Sequence, residues 1–276
     1  MQPNLSIIVV SYRDAVALNR CLRSIVRFGG LGHVTREVIV VKNSNETLDA
    51  SELPDSYLTL VQNEKNEGFG AAVNRAAWLA RGSHLLLLNP DAELQPDSLS
   101  SLLSFLGQHK EAAIIGLKQR ASDGEIVASF GNQPNFMREL AALTGISRLV
   151  PVGRLVRAKG LLKRQYQKSG RRGWIGCGAA CINKNVFTSF GGFDAGYFMY
   201  VEDVDLCRRI RNAQGEIWYC AEANVIHNDA ATRVNPSDRK VAQTQTTHGL
   251  IRYAKLYRQP VAPMRLVQQI KELVRT

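Results

Sequence analysis

Short apolar runs alternate with segments of helical periodicity, and this alternation constrains the fold more than any other feature. The runs with the length of buried strands are residues 5–10, 37–41, 58–62 and 85–88. The segments with helical spacing are residues 15–28, 70–80 and 96–106. This order predicts an α/β fold in which a mostly parallel central sheet carries helices on both faces. Ligands of such sheets bind beyond the carboxyl ends of the strands, so the polar residues there are the first candidates.

Each predicted strand is followed by polar residues. Ser11 and Tyr12 follow the first strand, and Lys42 and Asn43 follow the second. The third strand leads through residues 63–70, a polar turn with glycines, into a helix whose N-terminus suits a phosphate group. This turn has neither the Gly-Lys-Ser/Thr of a Walker loop nor the glycine spacing of a dinucleotide fingerprint.

The fourth strand ends at Asn89-Pro90-Asp91. One carboxylate, together with diphosphate oxygens and water molecules, is a common way to hold Mg²⁺ or Mn²⁺. The alternative for Asp91 is a residue that only forms the turn after proline.

A dense acidic cluster lies in the second half of the chain, where residues 198–209 read FMYVEDVDLCRR. Glu202, Asp203 and Asp205 follow an apolar lead-in and stand at the predicted start of a helix. Partial burial raises the pKa of a carboxyl group and prepares it to act as a base. The alternative is helix capping, because acids favour the first turn of any helix.

Length and composition are those of a soluble globular protein. The chain has 276 residues, of which 45% are hydrophobic and 21% are charged. Its apolar runs are too short to span a bilayer, and its start lacks the pattern of a signal peptide. The five cysteines contain no CxxC pair, which predicts reduced thiols that serve in packing, and a cytoplasmic location.

The net charge of +11 is concentrated in two places, the insert at residues 145–173 and the C-terminal stretch at 248–276. Both interleave basic and apolar residues, which suits an anionic membrane surface, a lipid-linked phosphate or nucleic acid. The alternative is a solvated insert. No zinc finger or RNA-binding signature is present, so no nucleic-acid partner is expected.

The ordered strings SIIVVSYR, EVIVVKNSN, NEKNEGFGAAVN, LLLLNPDA, WIGCGAACINKNVFTSFGGFD, FMYVEDVDLCRR and IHNDAAT resemble the family 2 inverting glycosyltransferases, specifically the rhamnosyltransferase-like enzymes. The resemblance runs from about residue 5 to residue 232. It implies the GT-A fold, with a nucleotide-sugar half at residues 1–95 and an acceptor half at 96–232. The basic insert would belong to the acceptor half, and residues 233–276 would form a C-terminal helical extension.

The same resemblance implies roles for individual residues. Asp203 would be the catalytic base, with Glu202 beside it, and Asp91 and His227 would hold Mg²⁺ or Mn²⁺. The donor would be bound by Ser11, Tyr12, Lys42, Asn43, Asn66, Gly68, Asn74, Asn89, Asp91 and Arg209. The pocket for the sugar and the acceptor would be shaped by Trp174, Gly178 and Ala179.

The chain departs from the family pattern at two donor positions. Lys42 stands where the family usually has an aspartate that meets the pyrimidine ring, and an ammonium group only donates hydrogen bonds. Asn89 replaces the first acid of the family's DxD-type motif, which removes one charge near the metal.

The function implied is metal-dependent, inverting transfer of a sugar from a nucleotide donor to a lipid-linked or surface-polysaccharide acceptor. The expected sugar is rhamnose, with dTDP-rhamnose as its donor. The enzyme is expected to act in the cytoplasm, at the inner face of the cytoplasmic membrane. The alternative is a GT-A-like protein that binds nucleotide or anionic lipid without catalysis, which Lys42 and Asn89 would favour.

Overall fold

Eleven strands are present in the described part of this computed structural model, which comprises residues 5–31, 33–45, 54–131, 164–228 and 236–259. In chain order they are β1 (Leu5–Ser11), β2 (Thr35–Lys42), β3 (Leu58–Gln62), β4 (His84–Leu88), β5 (Ala92–Leu94), β6 (Ala112–Arg120), β7 (Phe130–Gly131), β8 (Gly170–Arg171), β9 (Trp174–Ile175), β10 (Ala179–Asn183) and β11 (Glu216–His227). Nine of them form the central sheet, and β7 pairs with β9 in a separate two-stranded sheet.

The central sheet is mixed, with the order β3-β2-β1-β4-β10-β6-β11-β5, and β8 pairs with β11. Strands β1 to β4 run parallel, as do β6 and β11. Strand β10 lies antiparallel between β4 and β6, and β5 and β8 are antiparallel to β11. The carboxyl ends of β1, β2, β4, β6 and β11 therefore meet at one edge of the sheet.

Six helices are present among the described residues, and the first five pack on the faces of the sheet. They are α1 (Ala15–Phe28), α2 (Phe69–Leu79), α3 (Ser98–Gln108), α4 (Lys184–Ser189), α5 (Glu202–Asn212) and α6 (Pro236–Leu256). Residues of α1 and α3, such as Leu22 and Leu102, pack on one face of the sheet. Residues of α2, α4 and α5, such as Val73, Phe187 and Leu206, pack on the other. The predicted α/β fold with a mostly parallel sheet is confirmed.

The final described helix, α6, packs against the segment that leads into α5. Tyr197 and Val201 of that segment form a small apolar cluster with Leu250, Tyr253 and Ala254 of α6. Since α6 begins at Pro236, the predicted C-terminal extension contains a helix that contacts the acidic cluster directly. The boundaries proposed for the halves of the chain stay predictions.

All five cysteines are buried free thiols, which confirms the prediction that they serve in packing. Among the described residues, none of the helices has the length and apolar character needed to span a bilayer. Most of the predicted basic insert, residues 145–163, lies outside the described residues.

Candidate active site

The acidic helix α5 begins in an unusual backbone turn. Tyr200 and Val201 both have left-handed φ angles, 70° and 76°, although a β-branched residue rarely adopts this conformation. Such a conformation costs on the order of 1–3 kcal/mol per residue and persists only where its surroundings enforce it. The Phe69 N–H donates to the Phe198 carbonyl at 3.0 Å on one side, and Gly249 of α6 lies against Tyr200 on the other. The acids are therefore aimed by two neighbouring helices.

Asp203 is held by two backbone N–H groups. Its Oδ1 accepts from Val204 at 2.8 Å, and its Oδ2 accepts from Cys177 at 3.3 Å. Burial raises the pKa of Asp203, and these two N–H groups oppose the rise. The carboxylate is thus placed at the first turn of α5 and tied to the loop before β10.

Glu202 is 4% exposed, and its Oε2 has no hydrogen-bond partner. Burial raises the pKa of Glu202, and the neighbouring charge of Asp203 raises it further. As the pH rises, Asp203 therefore loses its proton before Glu202 does.

The third acid, Asp205, has a structural role. Its Oδ2 accepts from Arg209 Nε at 2.8 Å, and its Oδ1 accepts from the Tyr257 hydroxyl at 2.8 Å. Arg209 also donates to the carbonyls of Phe190 at 2.6 Å and Gly192 at 2.8 Å. All three nitrogens of Arg209 are engaged with the protein itself, so its predicted contact with the donor stays a prediction.

The ends of β4 and β11 bring Asp91 and His227 together. His227 Nε2 lies 3.0 Å from Asp91 Oδ1, and Asn89 Nδ2 lies 3.3 Å from the same nitrogen. On the other side of the ring, Nδ1 lies 2.6 Å from Gln119 Oε1. An amide oxygen only accepts, so Nδ1 carries a proton and donates to Gln119, which leaves Nε2 as the nitrogen that faces Asp91 and Asn89.

The Asp91–His227 pair fits a divalent cation. Metal-bound histidines usually donate their second ring N–H to an oxygen, as His227 does to Gln119. Carboxylate oxygen and imidazole nitrogen suit Mn²⁺, and the carboxylate suits Mg²⁺. No group of three or more His, Cys, Asp or Glu side chains that could hold a metal occurs among the described residues, so diphosphate oxygens and water would supply the other ligands.

Residues 176–178 lie between Asp203 and the Asp91–His227 pair. The Cys177 N–H donates to Asp203, while the carbonyl of the following residue, Gly178, accepts from the Asn89 N–H at 2.8 Å. A Cβ atom at Gly178 would lie 3.0 Å from His227 Cε1 and 3.1 Å from Asn89 Nδ2. Gly178 thus permits a close approach, and the structure brings Asp203, Asn89, Asp91 and His227 to one loop.

The turn before α2 is built by asparagines. Asn43 is buried, donates to the Gly68 carbonyl at 3.2 Å and accepts from Asn63 at 2.7 Å. Asn66 accepts the Gly68 N–H at 2.9 Å. The amide of Asn74 bonds to both backbone groups of Phe193. These side chains fix the loop that was predicted to bind the donor, through contacts with the protein itself.

The other predicted site residues take varied positions. Ser11 is fully buried at the end of β1, and its Oγ has no hydrogen-bond partner. Tyr12 follows it and is 42% exposed. Lys42 ends β2, paired with Ser11. Trp174 is partly buried in β9, and Ala179 is fully buried in β10 opposite Leu88.

Gln119 was missed by the sequence reasoning. It is 3% exposed at the end of β6, and it sets the orientation of His227. The available signal was the polar triplet at residues 118–120, which directly follows the apolar run of β6 as the other clusters follow their strands.

The chain is similar to known proteins in sequence and in fold. The family model described as "Glycosyltransferase like family 2" matches residues 3–249. The chain belongs to this glycosyltransferase family.

Two curated relatives are similar to the chain. The N-acetylglucosaminyl-diphospho-decaprenol L-rhamnosyltransferase of Mycobacterium tuberculosis is 26% identical over 266 residues, which cover 88% of this chain and 82% of the relative. The O-antigen biosynthesis protein RfbC of Myxococcus xanthus is 30% identical over 206 residues, which cover 71% of this chain and 15% of RfbC.

Two solved structures share the fold. The mannosyltransferase PcManGT from Pyrobaculum calidifontis, in complex with GDP-Man and Mn²⁺, superposes with a TM-score of 0.61 at 16% identity, over 97% of this chain and 69% of the other. GalNAc-T7 with UDP, GalNAc and Mn²⁺ gives a TM-score of 0.58 at 14% identity, over 82% of this chain. The match spans 44% of the GalNAc-T7 chain, and at these identities the likeness defines the fold alone.

Proposed function

We propose that this glycosyltransferase transfers a sugar from a nucleotide donor to a hydroxyl group of a lipid-linked acceptor, with inversion at the anomeric carbon. The observation that carries the proposal is the loop at residues 176–178, which contacts Asp203 on one side and Asn89 and His227 on the other. The mycobacterial relative named above supports rhamnose as the sugar and a diphospho-lipid as the acceptor. We propose dTDP-rhamnose as the donor.

Asp203 serves as the base in this proposal. Its carboxylate removes the proton from the acceptor hydroxyl while the oxygen attacks C1 of the sugar. The bond from C1 to the phosphate oxygen breaks, and the nucleoside diphosphate leaves with the electron pair. Base catalysis of this kind contributes roughly 10²–10⁴-fold to the rate. Glu202, which lies beside Asp203, keeps its proton and orients the acceptor.

Asp91 and His227 hold Mg²⁺ or Mn²⁺ in this proposal. When bound, such a cation neutralises negative charge on the diphosphate. Asn89 carries no charge, which leaves the pair with a single formal negative charge, and its amide can contact Nε2 only while no metal occupies that lone pair. We expect a modest affinity for the metal until the donor contributes its diphosphate oxygens.

The nucleoside would lie along the ends of β1 and β2 and the turn before α2. Ser11 offers a buried hydroxyl without a partner, and Tyr12 an exposed ring. Lys42, at the end of β2, would contact a carbonyl or phosphate oxygen of the donor, because it only donates hydrogen bonds. Trp174 and Gly178 would shape the sugar and acceptor pocket beyond the diphosphate.

The test is a transfer assay with a panel of nucleotide sugars and a lipid-linked acceptor. We expect turnover with dTDP-rhamnose, loss of turnover on chelation, recovery with Mn²⁺, and an inverted anomeric configuration in the product by NMR. Transfer with retained configuration would contradict the assignment of Asp203. The alternative is a protein that binds nucleotide without catalysis, and it requires that no donor in the panel reacts. Membership of the glycosyltransferase family and the contact between Asp91 and His227 do not favour this alternative.

We also propose that the basic residues of the insert at 145–173 and of the C-terminal stretch bring the enzyme to an anionic membrane surface. Each Lys or Arg near such a surface contributes about 1 kcal/mol, screened by salt. Co-sedimentation with anionic vesicles should weaken with salt and when Arg154, Arg157, Lys163 and Arg164 are replaced together. A protein that ignores anionic vesicles at low salt would contradict this localisation.

A further inference from the structure

Strand β6 ends in two cations that flank Gln119. Successive side chains of a strand point to opposite faces of the sheet. Gln119 turns towards His227, so Lys118 and Arg120 lie on the opposite face. Lys118 is 4% exposed there, and its Nζ donates to Gln167 Oε1 at 2.7 Å. The metal pair and these cations are therefore on different sides of the same strand.

The two cations are only partly balanced by negative charge among the described residues, where the carboxylate that acts on Lys118 is Glu222. Lys118 bonds to a neutral amide, and Arg120 has a buried Nε without any hydrogen-bond partner. Burial lowers the pKa of Lys118, and the charge of Arg120 lowers it further, while that of Glu222 acts in the opposite direction. Glu222 itself accepts from the Ser169 hydroxyl. A buried lysine beside a second cation is unfavourable unless further negative charge offsets it, which points to an anionic ligand.

A third cation, Arg172, adds to the positive electrostatic potential of Lys118 and Arg120. The Arg172 guanidinium lies 5.4 Å from the centre of the Tyr219 ring and 4.4 Å from that of Phe130. Burial raises the pKa of the Tyr219 hydroxyl, and the charges of Arg172 and Arg120 both oppose the rise. The charges of both guanidinium groups therefore act on Tyr219, and Arg172 is held in place by the carbonyls of Gln165 and Lys168.

This region adjoins the base. Tyr166 packs against Tyr219 with ring centres 5.6 Å apart, and its hydroxyl accepts the Ser129 N–H at 2.9 Å. The Ser129 carbonyl accepts the Gly176 N–H at 2.7 Å, and the next N–H, that of Cys177, donates to Asp203. Ser129 Oγ is buried and has no partner. These contacts link the region around Lys118 and Arg120 to the loop that holds Asp203, the proposed base.

We propose that Lys118 and Arg120, supported by the charge of Arg172, bind the diphosphate group of the acceptor. The inference rests on the proposed function, since it takes the acceptor to be linked to its lipid through phosphate. The donor diphosphate has its own site at Asp91 and His227, on the other face of β6. A separate cationic site is what an enzyme with two phosphate-bearing substrates requires, because their charges repel each other.

The test compares two acceptors that carry the same terminal sugar in neutral detergent. One is linked through diphosphate to a short polyprenol, and the other is a neutral alkyl glycoside. Wild-type enzyme should prefer the diphosphate acceptor, and Arg120→Gln and Lys118→Gln should each raise its KM by roughly tenfold or more. The KM values for the donor and for the neutral acceptor should stay unchanged.

Arg27→Gln is the matched control, because Arg27 is exposed in the last turn of α1 and lies outside the basic insert. Equal losses with both acceptors, or no loss with either, would overturn the proposed site. A loss that appears only when the acceptor is carried in phosphatidylglycerol vesicles, and not in neutral detergent, would also overturn it, because the cations would then bind lipid headgroups.

A binding measurement separates this inference from the proposed function. With EDTA and saturating dTDP present, inorganic pyrophosphate should raise the Tm of the wild type and of Arg27→Gln, but not that of Arg120→Gln. A wild type that transfers to neither acceptor would contradict the proposed function, while this shift would still support the anion site. Equal shifts in all three proteins would overturn the anion site whatever the transfer assay gives.

Discussion

Gln119 Oε1 accepts the Nδ1–H of His227 at 2.6 Å, across 108 residues of sequence, and thereby fixes which nitrogen of the ring faces Asp91. Neither residue has freedom to change this arrangement, since Gln119 is 3% exposed and His227 is 7% exposed. The relationship makes Gln119 a positioning residue for the candidate metal pair.

Gln119→Leu should lower the affinity for the metal without unfolding the protein, because the substitution leaves His227 free to rotate or to change tautomer. Loss of a partner of this kind typically costs 10–100-fold in metal affinity. Titration of Mn²⁺ in the presence of dTDP would measure it, with Gln108→Leu on the exposed side of α3 as the control. An unchanged Mn²⁺ affinity would contradict the role of Gln119.

Asp203→Asn should retain the fold and donor binding but lose turnover by roughly 10²–10⁴-fold, since an amide does not accept the proton. In the wild type, kcat should fall as the pH is lowered through the raised pKa of Asp203, above the usual range of an aspartate. Asp97→Asn at the N-terminus of α3 is the control. Near-normal transfer by folded Asp203→Asn would refute the assignment.

Glu202→Gln should raise the Tm at neutral pH. The pKa of Glu202 is raised in the folded protein, so the unfolded chain releases this proton at lower pH and stability falls as the pH rises through that window. An amide does not titrate, so the variant avoids this loss, and its gain in Tm should shrink as the pH is lowered towards the ordinary pKa of a glutamate. A gain that is independent of pH would contradict the explanation.

Gly249→Ala should lower kcat by moving the acid helix. A Cβ atom there would lie 2.8 Å from the Tyr200 carbonyl oxygen and 2.9 Å from Val201 Cγ2, so the left-handed turn must shift. Gly107→Ala in α3 is the matched control, because a Cβ atom there meets nothing within 4 Å; it should stabilise the protein by about 0.5–1 kcal/mol without changing kcat. Equal kcat values in both variants would show that α6 does not aim the acids.

The sequence pattern predicts most of the fold. For the candidate site, it predicts only the parts whose residues lie close together in sequence or directly follow a strand. Periodicity places α1 at the residues observed, 15–28, and the strands β1 to β4 within two residues. Each of these elements buries side chains at regular intervals along its own sequence, so the spacing of its apolar residues predicts it. The insertion of β10, antiparallel between β4 and β6, leaves no such pattern, because pairing between distant strands is decided by the whole sheet.

The same limit applies to the site. The acids of α5 could be found because they are adjacent in sequence, and Asp91 because it follows a strand. The contacts of Gln119 with His227, of Asn74 with Phe193 and of Tyr257 with Asp205 could not, since each joins elements that only the folded chain brings together. The strained turn at Tyr200 and Val201 is likewise enforced by neighbouring helices rather than by its own residues.

The contacts made by residues 176–178 have a consequence for engineering. Two neighbouring residues there make these contacts, Cys177 with Asp203 through its N–H and Gly178 with Asn89 through its carbonyl. A hybrid enzyme that takes its donor half from one parent and its acceptor half from another must therefore inherit Asn89 and this loop together. Crossover points between β4 and β10 would separate them, so recombination that changes the donor sugar should succeed only where the two segments come from the same parent.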